Sequence, residues 1–197
     1  IYDKREDMKN TEIARGLYKK AIELDDNLLE AKTSLGWTYF ETGDYDKAME
    51  IYCSALTQAE EIGDKRGMGY GLHSIGVEHA NKGDYDKALN YYGRSLAIKK
   101  EIGETAGMGM SLNSIGVVHW NKGDYDKALD YYGKSLKIRE KLGVKRGMGR
   151  NINNIGAVHY YKGNYNKAAE HLEKSLSIQK EIGLKGLELY STTYLYL

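Results

Sequence analysis

From Thr11 onward, apolar residues return every three or four positions, the spacing that places them on one face of a helix. Ala14, Tyr18, Ala21 and Ile22 define a first amphipathic helix, running from about Thr11 to a polar stop at Asp25-Asp26-Asn27. Ala31, Leu35, Gly36 and Tyr39 define a second, from about Leu28 to Thr42. Ala48, Ile51, Tyr52, Ala55 and Leu56 define a third, which ends at Glu61-Ile62-Gly63. The two patterns then alternate: helices are predicted near 69–82, 109–122 and 149–162, each followed by one near 84–102, 124–142 or 164–182. The stretches Gly63-Asp64-Lys65-Arg66-Gly67, Gly103-Glu104-Thr105-Ala106-Gly107 and Gly143-Val144-Lys145-Arg146-Gly147 read as loops between pairs. Residues 1–10 are charged and weakly patterned, reading as no more than a frayed or partial helix, and Gly186 to Leu197 reads as the first helix of a further pair.

One hexapeptide sets the register. Gly43-Asp44-Tyr45-Asp46-Lys47-Ala48 recurs at 83–88 and 123–128, and again as Gly163-Asn164-Tyr165-Asn166-Lys167-Ala168, always 40 residues apart. A fixed period of this size marks a solenoid, in which each unit buries its apolar face only against its neighbours. The predicted fold class is therefore all-α, a solenoid of antiparallel helix pairs in one array. Its expected divisions are a partial repeat at 1–28, full repeats at 29–68, 69–108, 109–148 and 149–186, and the first helix of another at 187–197. Within the hexapeptide, the glycine reads as a left-handed helix stop and the aspartate as the N-cap of the next helix. Gly36, Gly76, Gly116 and Gly156 fall in mid-helix, where glycine costs about 1 kcal/mol against alanine. Ala48, Ala88, Ala128 and Ala168 follow at a constant offset, so each glycine is expected to face an alanine where the two helices cross closely.

Composition narrows the function classes. The chain has 197 residues, with 29 Lys+Arg against 28 Asp+Glu, so it lacks the basic excess of a nucleic-acid-binding surface. No apolar run approaches the roughly 20 residues that span a bilayer, and no signal-peptide pattern opens the chain. A single cysteine, Cys53, rules out an intramolecular disulfide and suits a reducing compartment. The expectation is a cytoplasmic chain with neither nucleic acid nor membrane as partner. The absence of proline lets helices run unbroken between glycine stops.

At Leu35-Gly36, Tyr39, Gly43-Asp44-Tyr45, Ala48, Tyr52 and Ala55, and at their counterparts in the three later units, the chain resembles the tetratricopeptide-repeat family. The likeness covers about residues 11–197. The family's usual spacing of about 34 residues holds between Ala14, Tyr18, Ala21 and Ala48, Tyr52, Ala55. The later units are longer at the end of their second helix and lack the proline that often closes the family's repeat. This longer form is similar to repeats of kinesin light chains, Pins-type spindle adaptors and prokaryotic signalling regulators. The resemblance implies a right-handed superhelix whose concave side grips a protein or peptide.

Candidate chemistry is sparse. His79, His119 and His159 recur with the repeat, but adjacent packed helices lie about 8–10 Å apart, whereas ligands of one zinc lie about 2 Å from the ion. Each histidine also takes the slot of Tyr39, so packing is the expected role. Cys53 has no partner at metal spacing. Gly67-Met68-Gly69-Tyr70-Gly71 and Gly107-Met108-Gly109 lack the spacing of a phosphate loop, and Gly133-Lys134-Ser135 falls mid-helix without its upstream glycine. Asp44-x-Asp46 lacks the glycine and glutamate of a calcium loop. No catalytic residue, metal ligand or cofactor site is predicted, and an enzyme is not expected.

In the family resembled, the face of each first helix opposite the core points into the groove. That face carries Trp37, Phe40 and Glu41 beside Thr33, then Tyr70, His73 and Asn81 beside Val77 and Ala80. It continues with Asn113, Trp120 and Asn121 beside Met110 and Val117, then Arg150, Asn153, Asn154, Tyr160 and Tyr161 beside Ala157. Tyr190, Thr193 and Tyr194 would extend it. The near-identical second and third units differ here, at Tyr70/Met110, His73/Asn113 and Ala80/Trp120. Aromatic rings supply anchor area, and carboxamides can pair with an extended peptide backbone. Phe40, Trp120 and Tyr160 have packing between repeats as their alternative role. With Arg150 the only base on this face of the full repeats, the expected ligand has apolar anchors and an acidic residue near Arg150. The expected function is a scaffold that recognises an extended or helical segment. The alternative is a self-assembling structural or regulatory segment of a larger signalling protein, forming homo-oligomers through a C-terminal helix that bears Leu187, Leu189, Tyr190, Leu195 and Leu197.

Overall fold

A computed structural model describes residues 4–183, with side chains from residue 9 onward. The elements among them are α1 (Lys4–Leu24), α2 (Leu29–Glu41), α3 (Tyr45–Ile62), α4 (Lys65–Asn81), α5 (Tyr85–Glu101), α6 (Thr105–Asn121), α7 (Tyr125–Leu142), α8 (Lys145–Tyr161) and α9 (Tyr165–Glu181). Helices α2 and α3, α4 and α5, α6 and α7, and α8 and α9 pack as sequential antiparallel pairs, the α-solenoid expected from the period. Two compact units result: Ile1–Glu104 contains α1 to α5, and Thr105–Leu197 contains α6 to α9. The leucines and tyrosines of 186–197 that were expected to form a docking helix lie outside the described residues.

The turn inside each pair follows from its glycine. Gly43 has φ of 82°, its N–H donates to the Phe40 carbonyl at 3.0 Å, and the Asp44 N–H donates to the Tyr39 carbonyl at 2.9 Å. These are the two bonds that close a Schellman motif. The Asp44 carboxylate then accepts from the Lys47 N–H, as a cap should. Asp84 and Asp124 do not cap; each turns back to a histidine of the preceding helix.

Two further expectations need correction. Helices α4, α6 and α8 begin at Lys65, Thr105 and Lys145, inside stretches that read as loops. Gly63 takes the left-handed conformation and Asp64 accepts from the Arg66 N–H at 2.9 Å, so the chain enters α4 at once. The glycines that follow serve close approach: a Cβ on Gly67 would stand 2.5 Å from Leu29 Cδ1, and one on Gly71 3.2 Å from Leu56 Cβ. Helix α1 starts ahead of Thr11, at Lys4, within the stretch read as a frayed or partial helix.

The second of these concerns the mid-helix glycines, whose nearest neighbours are not the alanines. A Cβ on Gly36, Gly76 or Gly116 would meet the ring of Tyr52, Tyr92 or Tyr132 at 2.5, 2.7 and 2.7 Å, and one on Gly156 would meet Leu172 at 2.9 Å. The large ring, four residues beyond the alanine, fills the notch. A second tie repeats beside it: Ser95, Ser135 and Ser175 donate to the carbonyls of Gly69, Gly109 and Gly149 at 2.7, 2.6 and 2.8 Å. Buried Ala48, Tyr52 and Ile75 centre one core in the first unit, and Ala128, Tyr132, Ile155 and Val158 centre one in the second.

Candidate functional site

In the first unit, the end of α2 carries a short aromatic stack. Trp37 lies on Phe40 at 4.9 Å between centroids, and Phe40 meets Tyr45 edge-on at 5.5 Å. Trp37 is 45% exposed, and its indole N–H donates to Glu41 at 2.8 Å. Phe40 also packs against the Ala48–Tyr52 core, so it serves packing as well as surface. Along α4, Tyr70 has two cations near its ring, the Arg66 guanidinium at 6.0 Å and the Lys99 ammonium at 4.6 Å from the centroid. Burial draws Lys99 down to about 8, with Glu104 opposing the shift. Beside Tyr70, a pocket of about 170 Å³ opens between the starts of α2 and α4, lined by Leu28, Glu30, Thr33 and Arg66 among others.

Asn81 is exposed at the end of α4. His73 departs from expectation: it is 8% exposed, with its ring 5.1 Å from buried Tyr92. Burial first, then the Lys99 charge, push it down to about 3. It is an interior residue.

The second unit gathers more of the expected set. Trp120 meets Tyr161 edge-on at 5.8 Å, Tyr160 meets Tyr161 at 5.7 Å, Tyr125 stacks on Tyr161 at 6.3 Å, and Tyr165 meets Tyr160 at 5.6 Å. Tyr160, Tyr161 and Tyr165 are 39%, 50% and 64% exposed. Trp120 is half-buried against the Ala128–Tyr132 core. The surrounding Lys162 is held by an ion pair with Asp126. Asn154 donates to the Asn113 side-chain oxygen at 3.3 Å, so these two carboxamides are partly engaged with each other. Asn121 and Arg150 are exposed. Arg139, half-buried, donates to the Gly147 carbonyl at 2.6 Å and is lowered to about 10 by burial and then by the Arg150 charge.

Asn153 is the other departure, 7% exposed with a buried side-chain oxygen that has no hydrogen-bond partner. It does not offer its amide to a surface ligand.

Tyr125 and Tyr165 were missed because they belong to the repeated hexapeptide, which reads as scaffold. The signal was the turn length: a tight Gly-Asp or Gly-Asn turn brings the first residue of α7 or α9 beside the last turn of α6 or α8.

His79 and His119 pack as expected, with an added polar contact. His79 stacks on Tyr91 at 5.3 Å and 9°, and its Nδ1 is 3.3 Å from Asp84. His119 repeats this with Tyr131 at 5.4 Å and 8°, and with Asp124 at 3.3 Å. These bonds, helped by Lys87 and Lys127, hold both carboxyls below the usual range. Among the described residues, no group of three or more His, Cys, Asp or Glu side chains is placed to hold a metal ion. No helix there is long and apolar enough to cross a membrane.

Residues 31–101, 71–141 and 107–181 match the family model described as tetratricopeptide repeat. A search of curated protein sequences gives no match. Among solved structures, BtubC (BKLC) from P. vanneervenii is similar at 19% identity and a TM-score of 0.77, over 100% of this chain and 82% of that one. A Rap protein complexed with competence and sporulation factor is similar at 19% identity and 0.79, over 89% of this chain and 50% of that one. A signal-transduction ATPase with numerous domains from Pyrococcus horikoshii, which carries a tetratricopeptide-repeat sensor, is similar at 25% identity and 0.70, over 85% of this chain and 28% of that one. The chain thus spans half of the Rap protein and little more than a quarter of the ATPase.

Proposed function

The chain belongs to the tetratricopeptide-repeat family, and we propose that it is a protein-binding module whose second unit takes a peptide segment on the Trp120–Tyr161 face. The observation that carries this reading is the five-ring cluster of Trp120, Tyr125, Tyr160, Tyr161 and Tyr165, three of whose rings are exposed. Soluble chains rarely leave rigid aromatic area in water without a use, and tyrosine and tryptophan dominate binding hot spots. Arg150 offers an acidic residue of the ligand a charge partner, and the Asn113–Asn154 pair offers exchangeable amides. Trp37, Phe40 and Tyr45 form a smaller anchor of the same kind in the first unit. The Rap protein's complex with a factor supports this class of function at the level of fold.

Selection of a phage-displayed random peptide library on the full chain tests the reading. Enriched peptides should bind at least about tenfold more weakly to Trp120→Ala and Tyr161→Ala, the loss expected of a hot-spot residue. Peptides that bind both variants as tightly as the parent would overturn it.

A further inference from the structure

The junctions α3–α4 and α7–α8 use the same slots of the repeat with different charges. At α3–α4, Arg66 has two acids beside it: its Nε lies 3.5 Å from Glu30, and its backbone N–H donates to the Asp64 carboxylate at 2.9 Å. One repeat on, Lys99 has Glu104, which acts against its desolvation. At α7–α8 the acids are gone and the bases have multiplied. Val144 takes the slot of Asp64 and Glu104, Met110 takes the slot of Glu30, and the bases are Arg139, Arg146 and Arg150. Arg146 and Arg150 are exposed and four residues apart on one face of α8, a like-charge spacing that costs a helix stability. Arg146 also lies in the first turn, at the positive end of the helix dipole. Arg139 reaches the same turn from α7. Its Nη1 donates to the Gly147 carbonyl at 2.6 Å, and a Cβ on Gly147 would stand 2.9 Å from its Nε. That bond uses one of the five donors of a guanidinium. Neighbouring Lys145 is paired with Glu181, but among the described residues none of the three arginines is paired with a carboxylate.

We propose that Arg139, Arg146 and Arg150 form a site for the phosphoryl group of a phosphorylated peptide. Guanidinium forks match phosphate oxygens two at a time. At neutral pH a phosphoryl group brings a charge of about −1.5 to −2 and three acceptor oxygens, where a carboxylate brings a single charge. It therefore answers three clustered guanidiniums more fully, and relieves the repulsion within α8. The charges of the whole chain balance, 29 basic against 28 acidic, which suits one phosphoryl group rather than a nucleic-acid backbone. Arg150 and Tyr161 lie on the same helix, about 16 Å apart along its axis, a span that about five residues of extended peptide cover. The choice of a peptide as carrier rests on the aromatic-face reading, whereas the arginine cluster stands apart from it.

A degenerate peptide library with one fixed phosphoserine, applied to the full chain beside matched serine and glutamate libraries, tests the site. Peptides selected from it should bind at least about tenfold more tightly than their serine and glutamate forms, the scale of a charge-assisted hydrogen bond. Arg139→Gln, Arg146→Ala and Arg150→Met install residues that equivalent slots already carry, Gln179, Ala106 and Met110. Each should keep the helicity of the parent by circular dichroism and lose most of the preference, whereas Arg66→Ala should retain it. No enrichment over the serine library, or a preference that survives in Arg139→Gln or Arg150→Met, would overturn the proposal. A preference lost in Arg150→Met but kept in Tyr161→Ala upholds the arginine site and counts against the aromatic face alone.

Discussion

Gly36 of α2 lies against the ring of Tyr52 in α3, so closely that a Cβ on the glycine would stand 2.5 Å from the tyrosine Cε1. The same contact recurs between Gly76 and Tyr92 and between Gly116 and Tyr132. The tyrosines are almost fully buried, at 1% to 3% exposure, and have no room to yield. Helix propensity alone says alanine should stabilise these positions by about 1 kcal/mol. Overpacking a full core costs about 1–3 kcal/mol, and it should win. Gly76→Ala is expected to lower the urea midpoint. Gly93→Ala, in mid-helix with nothing within 4 Å of the new methyl, should raise it.

Glu78 is 0% exposed, and neither of its carboxylate oxygens has a hydrogen-bond partner. Thr38, Val118 and Val158 occupy its slot in the other pairs. Burial raises its pKa, Asp46 adds to the shift and Lys82 opposes it. An acid with a raised folded pKa favours the fold below its unfolded pKa, and loses that contribution as pH rises through the folded value. Glu78→Val should therefore stabilise the chain by about 1–3 kcal/mol at neutral pH, with a smaller gain near pH 4. Urea denaturation at both pH values measures the difference.

His73 gives a slope of opposite sign. Its folded pKa of about 3 lies below the unfolded value, so the unfolded chain binds the proton first. Stability contributed by the neutral ring is complete above the unfolded pKa of about 6.5. It is lost as pH falls from there toward 3, by up to about 1.4 kcal/mol per pH unit. His73→Asn, the residue of the equivalent slots at Asn113 and Asn153, should flatten this part of the profile. Unfolding free energies between pH 5 and pH 7.5 would show it, as a difference between parent and variant.

The 40-residue period and the glycine stops made the helix pairs legible, because a solenoid repeats its packing with its sequence. Contacts that cross between helices were less so. Gly67 looks like a loop residue by propensity, yet it lies in α4, where a Cβ would stand 2.5 Å from Leu29 Cδ1. The choice of Ala48 rather than Tyr52 as the partner of Gly36 failed for a related reason. Sequence spacing gives the register of two helices, but not which of two neighbouring side chains fills the notch. On the candidate face, Trp37, Tyr160, Tyr161 and Arg150 lie at the surface, whereas His73 and Asn153 turn inward. One residue along a helix is a rotation of about 100°, so a face read from periodicity blurs at its edge. His73 and Asn153 sit on that edge.

Trp120 supplies the most direct measurement, since the chain has two tryptophans and Trp37→Phe leaves Trp120 alone as a reporter. Emission from Trp120 should shift saturably as a selected peptide is added, with the same dissociation constant that calorimetry gives, and Tyr161→Ala should weaken both readings together. A peptide that binds by calorimetry with no change at Trp120, and as tightly to Tyr161→Ala, would contradict a binding face in the second unit.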